Sequence, residues 1–222
     1  MRSRAPIILG LAWLLQSCGG ARDAAPEVYP PPDDLPGFYA GDFPCSNCAA
    51  IAAALWLRPD GTFFFRQTFR DDDQTAAERT DRTYGLGRWH WDELAAQVVL
   101  AGAGPERRLA VVDRDRLRLE VPSPVQHLLE RDASSPPFTD RITLDGESTV
   151  SKDSVLFSEC LTGLRLRVAE AGASKELRRQ HRVMNPRGEV ALTTIEGHLA
   201  AVDDREALVV DRFVAIKPHK GC

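Results

Sequence analysis

The sequence predicts an all-β protein: an antiparallel meander curling into a barrel or half-barrel, followed by a small Greek-key barrel of the OB type with one short helix. Three observations carry this. Apolar runs of four to seven residues recur with turn residues between them, the pattern of short strands. Helical periodicity is confined to one short segment in the last third of the chain. The 222 residues are 43% hydrophobic and 27% charged, which suits a folded chain with a real core and allows one large β domain or two small ones.

Residues 1–17 stand apart from the fold. Arg2 and Arg4 precede an apolar run over residues 7–15, too short to span a bilayer and fit for a secretory signal. Leu15-Gln16-Ser17-Cys18 ends it in the arrangement of a bacterial lipoprotein signal, which makes Cys18 the predicted site of cleavage and lipidation. Residues 18–34, with prolines at 26, 30, 31 and 32, read as a lipid-anchored flexible tether. The first domain is expected over 35–148 and the second over 149–222.

Strands are expected at 54–57 and 62–65, flanking Arg58-Pro59-Asp60-Gly61, where glycine takes a positive φ at low cost. Further strands follow at 89–91, 97–100, 108–112 and 117–120. Asp71-Asp72-Asp73 lacks the calcium-loop pattern and reads as a solvated loop. Residues 121–137, rich in Pro and Ser, read as an irregular lid or short helix. In the last part, Leu164, Leu166 and Val168 alternate with Arg165 and Arg167 at the strand period. A helix is expected from Lys175 to about Arg182 with Ser174 as its cap, then strands over 190–199 and 207–213.

Charge narrows the partners. Lys and Arg number 28 against 32 Asp and Glu, a formal charge of −4. Loss of Arg2 and Arg4 with the signal leaves 26 basic side chains against 32 acidic ones, or −6. Such a balance argues against nucleic acid as a partner, and membrane attachment would rest on the acyl chains of Cys18 rather than on attraction to anionic headgroups.

Five cysteines become an even four once Cys18 carries lipid. Phe43-Pro44-Cys45-Ser46-Asn47-Cys48 is the sharpest motif. Its two cysteines can form a structural disulfide, poise a redox couple, or offer two thiolates to a soft metal, above all Cu(I). A thioredoxin-like role needs a helix start beside a βαβ unit, which this segment lacks. Cys45 and Cys48 are therefore the candidate metal ligands, with an inert disulfide as the rival reading; no cofactor is obligatory. Supporting ligands are sparse, since Met184 is the single methionine beyond the signal and the histidines at 90, 127, 181, 198 and 219 are scattered. Cys222 more simply staples the chain end, with Cys160 as its natural partner. Closing that loop stabilises the fold by about 4 kcal/mol in the loop-entropy model. No Gly-x-Ser-x-Gly elbow, phosphate-binding glycine loop or His-Glu-x2-His motif is present in the sequence, so nothing points to an enzyme.

Taken together, the Phe43–Cys48 motif, Ile51, Leu55, Leu57, Asp60-Gly61-Thr62-Phe63 and Gly87-Arg88-Trp89 resemble the N-terminal domain of the NlpE family of copper-resistance and envelope-stress lipoproteins. Phe157-Ser158-Glu159-Cys160-Leu161-Thr162-Gly163, then Leu166 and Val168, are similar to that family's C-terminal module. The resemblance implies a lipocalin-like N-terminal half-barrel, an OB-like second domain and an outer-membrane location, since Gly19 differs from the inner-membrane retention Asp. It implies no enzymatic activity, the Cys-x2-Cys pair at Cys45 and Cys48, a disulfide between Cys160 and Cys222, and an envelope-stress sensor kinase as partner. The competing function is a lipocalin-like carrier whose half-barrel holds a small apolar ligand.

Overall fold

The computed structural model describes residues 31–70, 82–102, 104–134, 139–151, 154–185 and 187–222. The signal segment, Cys18, most of the tether and the Asp71–Asp73 loop lie outside these.

Eight strands form the first unit: β1 (Gly37–Phe43), β2 (Ala50–Leu57), β3 (Thr62–Arg70), β4 (Arg82–Asp92), β5 (Gln97–Gly102), β6 (Arg107–Asp113), β7 (Arg116–Leu119) and β8 (His127–Arg131). Each pairs antiparallel with its neighbour in sequence, and β8 returns to β1 through Tyr39↔Arg131 and Ala40↔Glu130. The expected meander barrel is there, and it closes completely instead of stopping at a half-barrel. The expected lid contains the closing strand, β8. Its sequence signal is weak, because only Leu129 of its five side chains is fully buried and the strand is held largely through backbone pairing and Arg131. The Arg131 guanidinium caps the seam, donating to the Tyr39 hydroxyl (2.6 Å) and the Pro36 carbonyl (3.2 Å) and lying over the Tyr39 ring.

The β2–β3 hairpin shows how local chemistry fixes the barrel. Gly61 takes φ 77°, and the Asp60 carboxylate accepts from the Thr62 amide (3.0 Å) and hydroxyl (2.6 Å), closing the turn. Strand alternation then sends Leu55, Leu57, Phe63 and Phe65 inward, where with Tyr39, Leu100, Leu109, Leu117 and Leu129 they are buried at 0–3% exposure. These side chains fill the interior. Ala54, Trp56 and Phe64 point outward, yet pack into a second core with Leu144, Val155, Phe157 and Ile195 of the following domain. Burial on both faces explains the unbroken Phe63-Phe64-Phe65 run.

The second unit comprises β9 (Ile142–Val150), β10 (Val155–Glu159), β11 (Arg165–Arg167), α1 (Ser174–Met184), β12 (Ala191–Val202) and β13 (Arg205–Pro218). The sheet order is β11-β10-β9-β12-β13, and a parallel bridge between Val168 and Leu208 joins its two ends. Five strands in this order, with the helix between the third and fourth, make the OB arrangement. The expected boundary at 148/149 falls inside β9. The chain changes sheets between Arg131 and Ile142, because β9 pairs with β10 and β12 over its length.

The helix starts at Ser174, which is buried and makes no capping bond, so the expected cap residue is the first helical residue. Leu177 and His181, one turn apart, seat α1 on the barrel, where His181 Nε2 lies 3.3 Å from the Ser148 carbonyl. Asp203 and Asp204 form the two-residue β12–β13 turn with φ 51° and 58°, a conformation that Asp tolerates better than most residues. At the chain's described start, Asp34 pairs with Arg114 (2.8 Å) and Leu35 is buried, so the end of the expected tether already rests on the barrel.

Candidate functional site

Four cysteines define two sites. Cys45 and Cys48 sit on the turn between β1 and β2, joined to each other, with Cα atoms 5.3 Å apart. Both are half-buried while Ser46 and Asn47 between them are exposed. Phe43 anchors one side of the turn in the barrel, with the His127 ring edge-on at 4.9 Å, and the Ala49 amide donates to the Arg70 carbonyl (2.8 Å) on the other. As a disulfide the pair has no thiolate to give a metal. Among the described residues no group of three His, Cys, Asp or Glu side chains converges as a metal site. Two sulfurs are therefore the whole donor set here, and they fit a soft ion only when reduced.

Cys160, just after β10, is bonded to Cys222, beyond the end of β13. The Cys160 amide donates to the Asp145 carbonyl (2.9 Å) and the Cys222 amide to Glu147 Oε1 (3.1 Å), so both halves are also tied to β9. Beside them the buried Glu159 carboxylate accepts from the amides of Leu161 (3.0 Å) and Thr162 (2.7 Å) and the Thr162 hydroxyl (2.5 Å). This fixes the loop that carries Cys160. The disulfide forms part of the wall of a cleft of about 550 Å³ between the two domains, with Phe64, Tyr84 and Leu86 on the barrel side and Ile142 and Leu161 opposite.

The domains are clasped by Arg58, which is 9% exposed. Its guanidinium donates to both carboxylate oxygens of Glu206 (2.9 and 2.7 Å), pairs with Asp60 (3.0 Å) and lies over the Trp56 ring at 4.9 Å. Its carbonyl accepts from Trp89 Nε1 (2.8 Å). Burial works against ionisation of Asp60, but the Thr62 hydrogen bonds and the Arg58 charge outweigh it and hold the carboxyl below its usual range. A second bridge joins Asp140 to Arg66 and, at 3.1 Å, to Arg82. Sequence reading missed the clasp, whose partners lie 148 residues apart, and the cleft; only the turn position of Arg58 hinted at a role.

A closed up-and-down barrel with a Cys-x2-Cys disulfide on its first turn, followed by an OB domain stapled at its end, defines a two-domain all-β protein with a disulfide in each domain. Residues 39–121 match the model of the NlpE N-terminal domain. Among solved structures, the chain is similar to the Cpx pathway activator NlpE from Escherichia coli, with 25% identity, coverage of 85% of this chain and 98% of that one, and a TM-score of 0.39. A chain from Shewanella oneidensis described as a candidate lipoprotein has 20% identity, 45% and 91% coverage, and a TM-score of 0.36. No curated protein matches.

Proposed function

We propose that this protein is a non-enzymatic lipoprotein of the outer membrane, anchored through Cys18, that reports envelope stress to a sensor kinase. The NlpE N-terminal domain over residues 39–121 carries the reading, and the solved relative of E. coli is itself a Cpx pathway activator. Two disulfides in one small chain suit an oxidising compartment. The finer assignment gives the Cys160–Cys222 bond the role of redox reporter: its loss releases the end of β13 from the cleft wall and exposes apolar surface to a partner. Reduced Cys45 and Cys48 would hold Cu(I) between two thiolates on an accessible turn. A carrier role inside the barrel is disfavoured by its large inward side chains, Tyr39, Leu55, Leu57, Phe63, Leu109 and Leu129, which are buried against one another at 0–1% exposure.

The experiment is expression of the full chain in a bacterium carrying an envelope-stress transcriptional reporter, with and without Cys18→Ala. Raised reporter output from the wild type, a lipid-modified N-terminus at Cys18 by mass spectrometry, and altered processing and output in the variant are expected. Unmodified Cys18 and a flat reporter would refute the proposal.

A further inference from the structure

The acidic balance of the whole chain hides a basic face. Residues 164–187 hold seven Lys and Arg against two Glu, a surplus of five positive charges in a chain of formal charge −4. The two acids are already engaged, Glu170 by Arg178 (2.6 Å) and Glu176 by Arg179 (2.7 Å). Arg165, Arg167, Lys175, Arg182 and Arg187 form no ion pair among the described residues.

Arg167 of β11 and Lys175 and Arg178 of α1 gather around Glu170. Arg165 and Arg167 point outward from β11 on either side of buried Leu166. On α1, Lys175, Arg179, Arg182 and Val183 fall at i, i+4, i+7 and i+8, the helix face opposite Leu177 and His181, which are buried. The Glu170 carboxyl is held below its usual range by the Arg178 hydrogen bond and charge, with the charges of Arg167 and Lys175 adding to them. Strand and helix cations thus surround a common point. At the end of this face Val183 is 68% exposed, a branched apolar side chain beside Arg179 and Arg182.

We propose that the outward face of α1, with β11 beside it, docks the second domain on an anionic bilayer surface. Lys175, Arg179 and Arg182 meet the headgroup phosphates while Val183 enters the interface. Charge alone would serve an acidic protein equally well; exposed Val183 inside the basic face favours a lipid surface, which takes cations and hydrocarbon together. This contact is independent of any anchor at Cys18.

The test uses residues 19–222, which keep every described element and carry no acyl chain, mixed with vesicles of phosphatidylethanolamine and phosphatidylglycerol at 3:1 or of phosphatidylcholine alone. Cosedimentation should show binding to the anionic vesicles at least tenfold stronger, weakened by salt. Each cation near the surface contributes about a fivefold factor, so Arg179→Ala with Arg182→Ala should weaken it about 25-fold. Val183→Ser should weaken it several-fold, and Arg114→Ala, on the barrel, should leave it unchanged. All four residues are exposed, so circular dichroism melting should not distinguish the variants from the wild type. Equal binding to both vesicles, or unchanged binding by the helix variants, would overturn the proposal. So would capture by immobilised polyglutamate without vesicle binding, which would assign the face to an acidic protein.

Discussion

Replacing Arg58 by Ala removes the contact that joins the β2–β3 turn to β13. Three losses follow. The first is the two-pronged pair with Glu206, whose side chains are 11% and 34% exposed, so it is worth more than a surface pair but less than a fully buried one, about 1–2 kcal/mol. The second is the stacking over Trp56, about 1 kcal/mol. The third is burial of the side-chain stem, at about 0.8 kcal/mol per methylene. Rehydration of Glu206, which can turn to solvent, brings the net to about 3 kcal/mol, while the Trp89 bond to the Arg58 carbonyl survives the substitution. For a chain of this size that lowers the melting temperature by about 6–12 °C. Scanning calorimetry should show the single transition moving down or splitting in two as the domains uncouple. Arg58→Lys keeps the charge without the planar fork and should fall between. A shift under about 2 °C for Arg58→Ala would refute the clasp.

Three further outcomes follow from the same contacts. Leu129→Ala, at the closing strand, should cost about 2–4 kcal/mol in denaturant unfolding, and a loss under about 1 kcal/mol would show that β8 does not seal the barrel. Because the Asp60 carboxyl is depressed in the folded protein, the stability it contributes is present above its unfolded value near pH 4 and fades as the pH falls through the lower, folded value. Asp60→Asn should flatten the melting profile across that acid range, and an unchanged profile would contradict it. Thiol-specific alkylation of native protein after mild reduction should label the exposed Cys222 before the half-buried Cys45 and Cys48, and the reverse order would count against that placement.

The hairpin over residues 54–65 was legible because its turn residues and its strand periods agree. The OB order was legible too, since the alternating Leu164–Val168 run, one amphipathic helix and two further strands leave few compact arrangements. What failed had no local signature. Strand β8 carries one buried side chain and owes its place to β1, ninety residues earlier. The domain boundary was read too late because Thr149 and Val150 end a strand whose earlier residues, Leu144 and Gly146, are paired just as firmly. Gly146 itself is required by packing: a Cβ there would lie 2.4 Å from the Phe157 ring. The cysteines were found by counting, but their surroundings were not, since Tyr84 and Leu161 reach the Cys160–Cys222 wall from different domains.

If the Cys160–Cys222 bond holds the protein silent, as proposed, its removal in living cells must raise the stress signal. Bacteria carrying an envelope-stress reporter would express the full chain as wild type, as Cys160→Ser with Cys222→Ser, or as Cys45→Ser with Cys48→Ser, with maleimide trapping to count free thiols in each. The wild type should be oxidised and quiet, and the reporter several-fold higher in the Cys160 and Cys222 variant at equal protein level. Equal reporter output from that variant and the wild type, with trapping showing the wild-type bond intact, would contradict it.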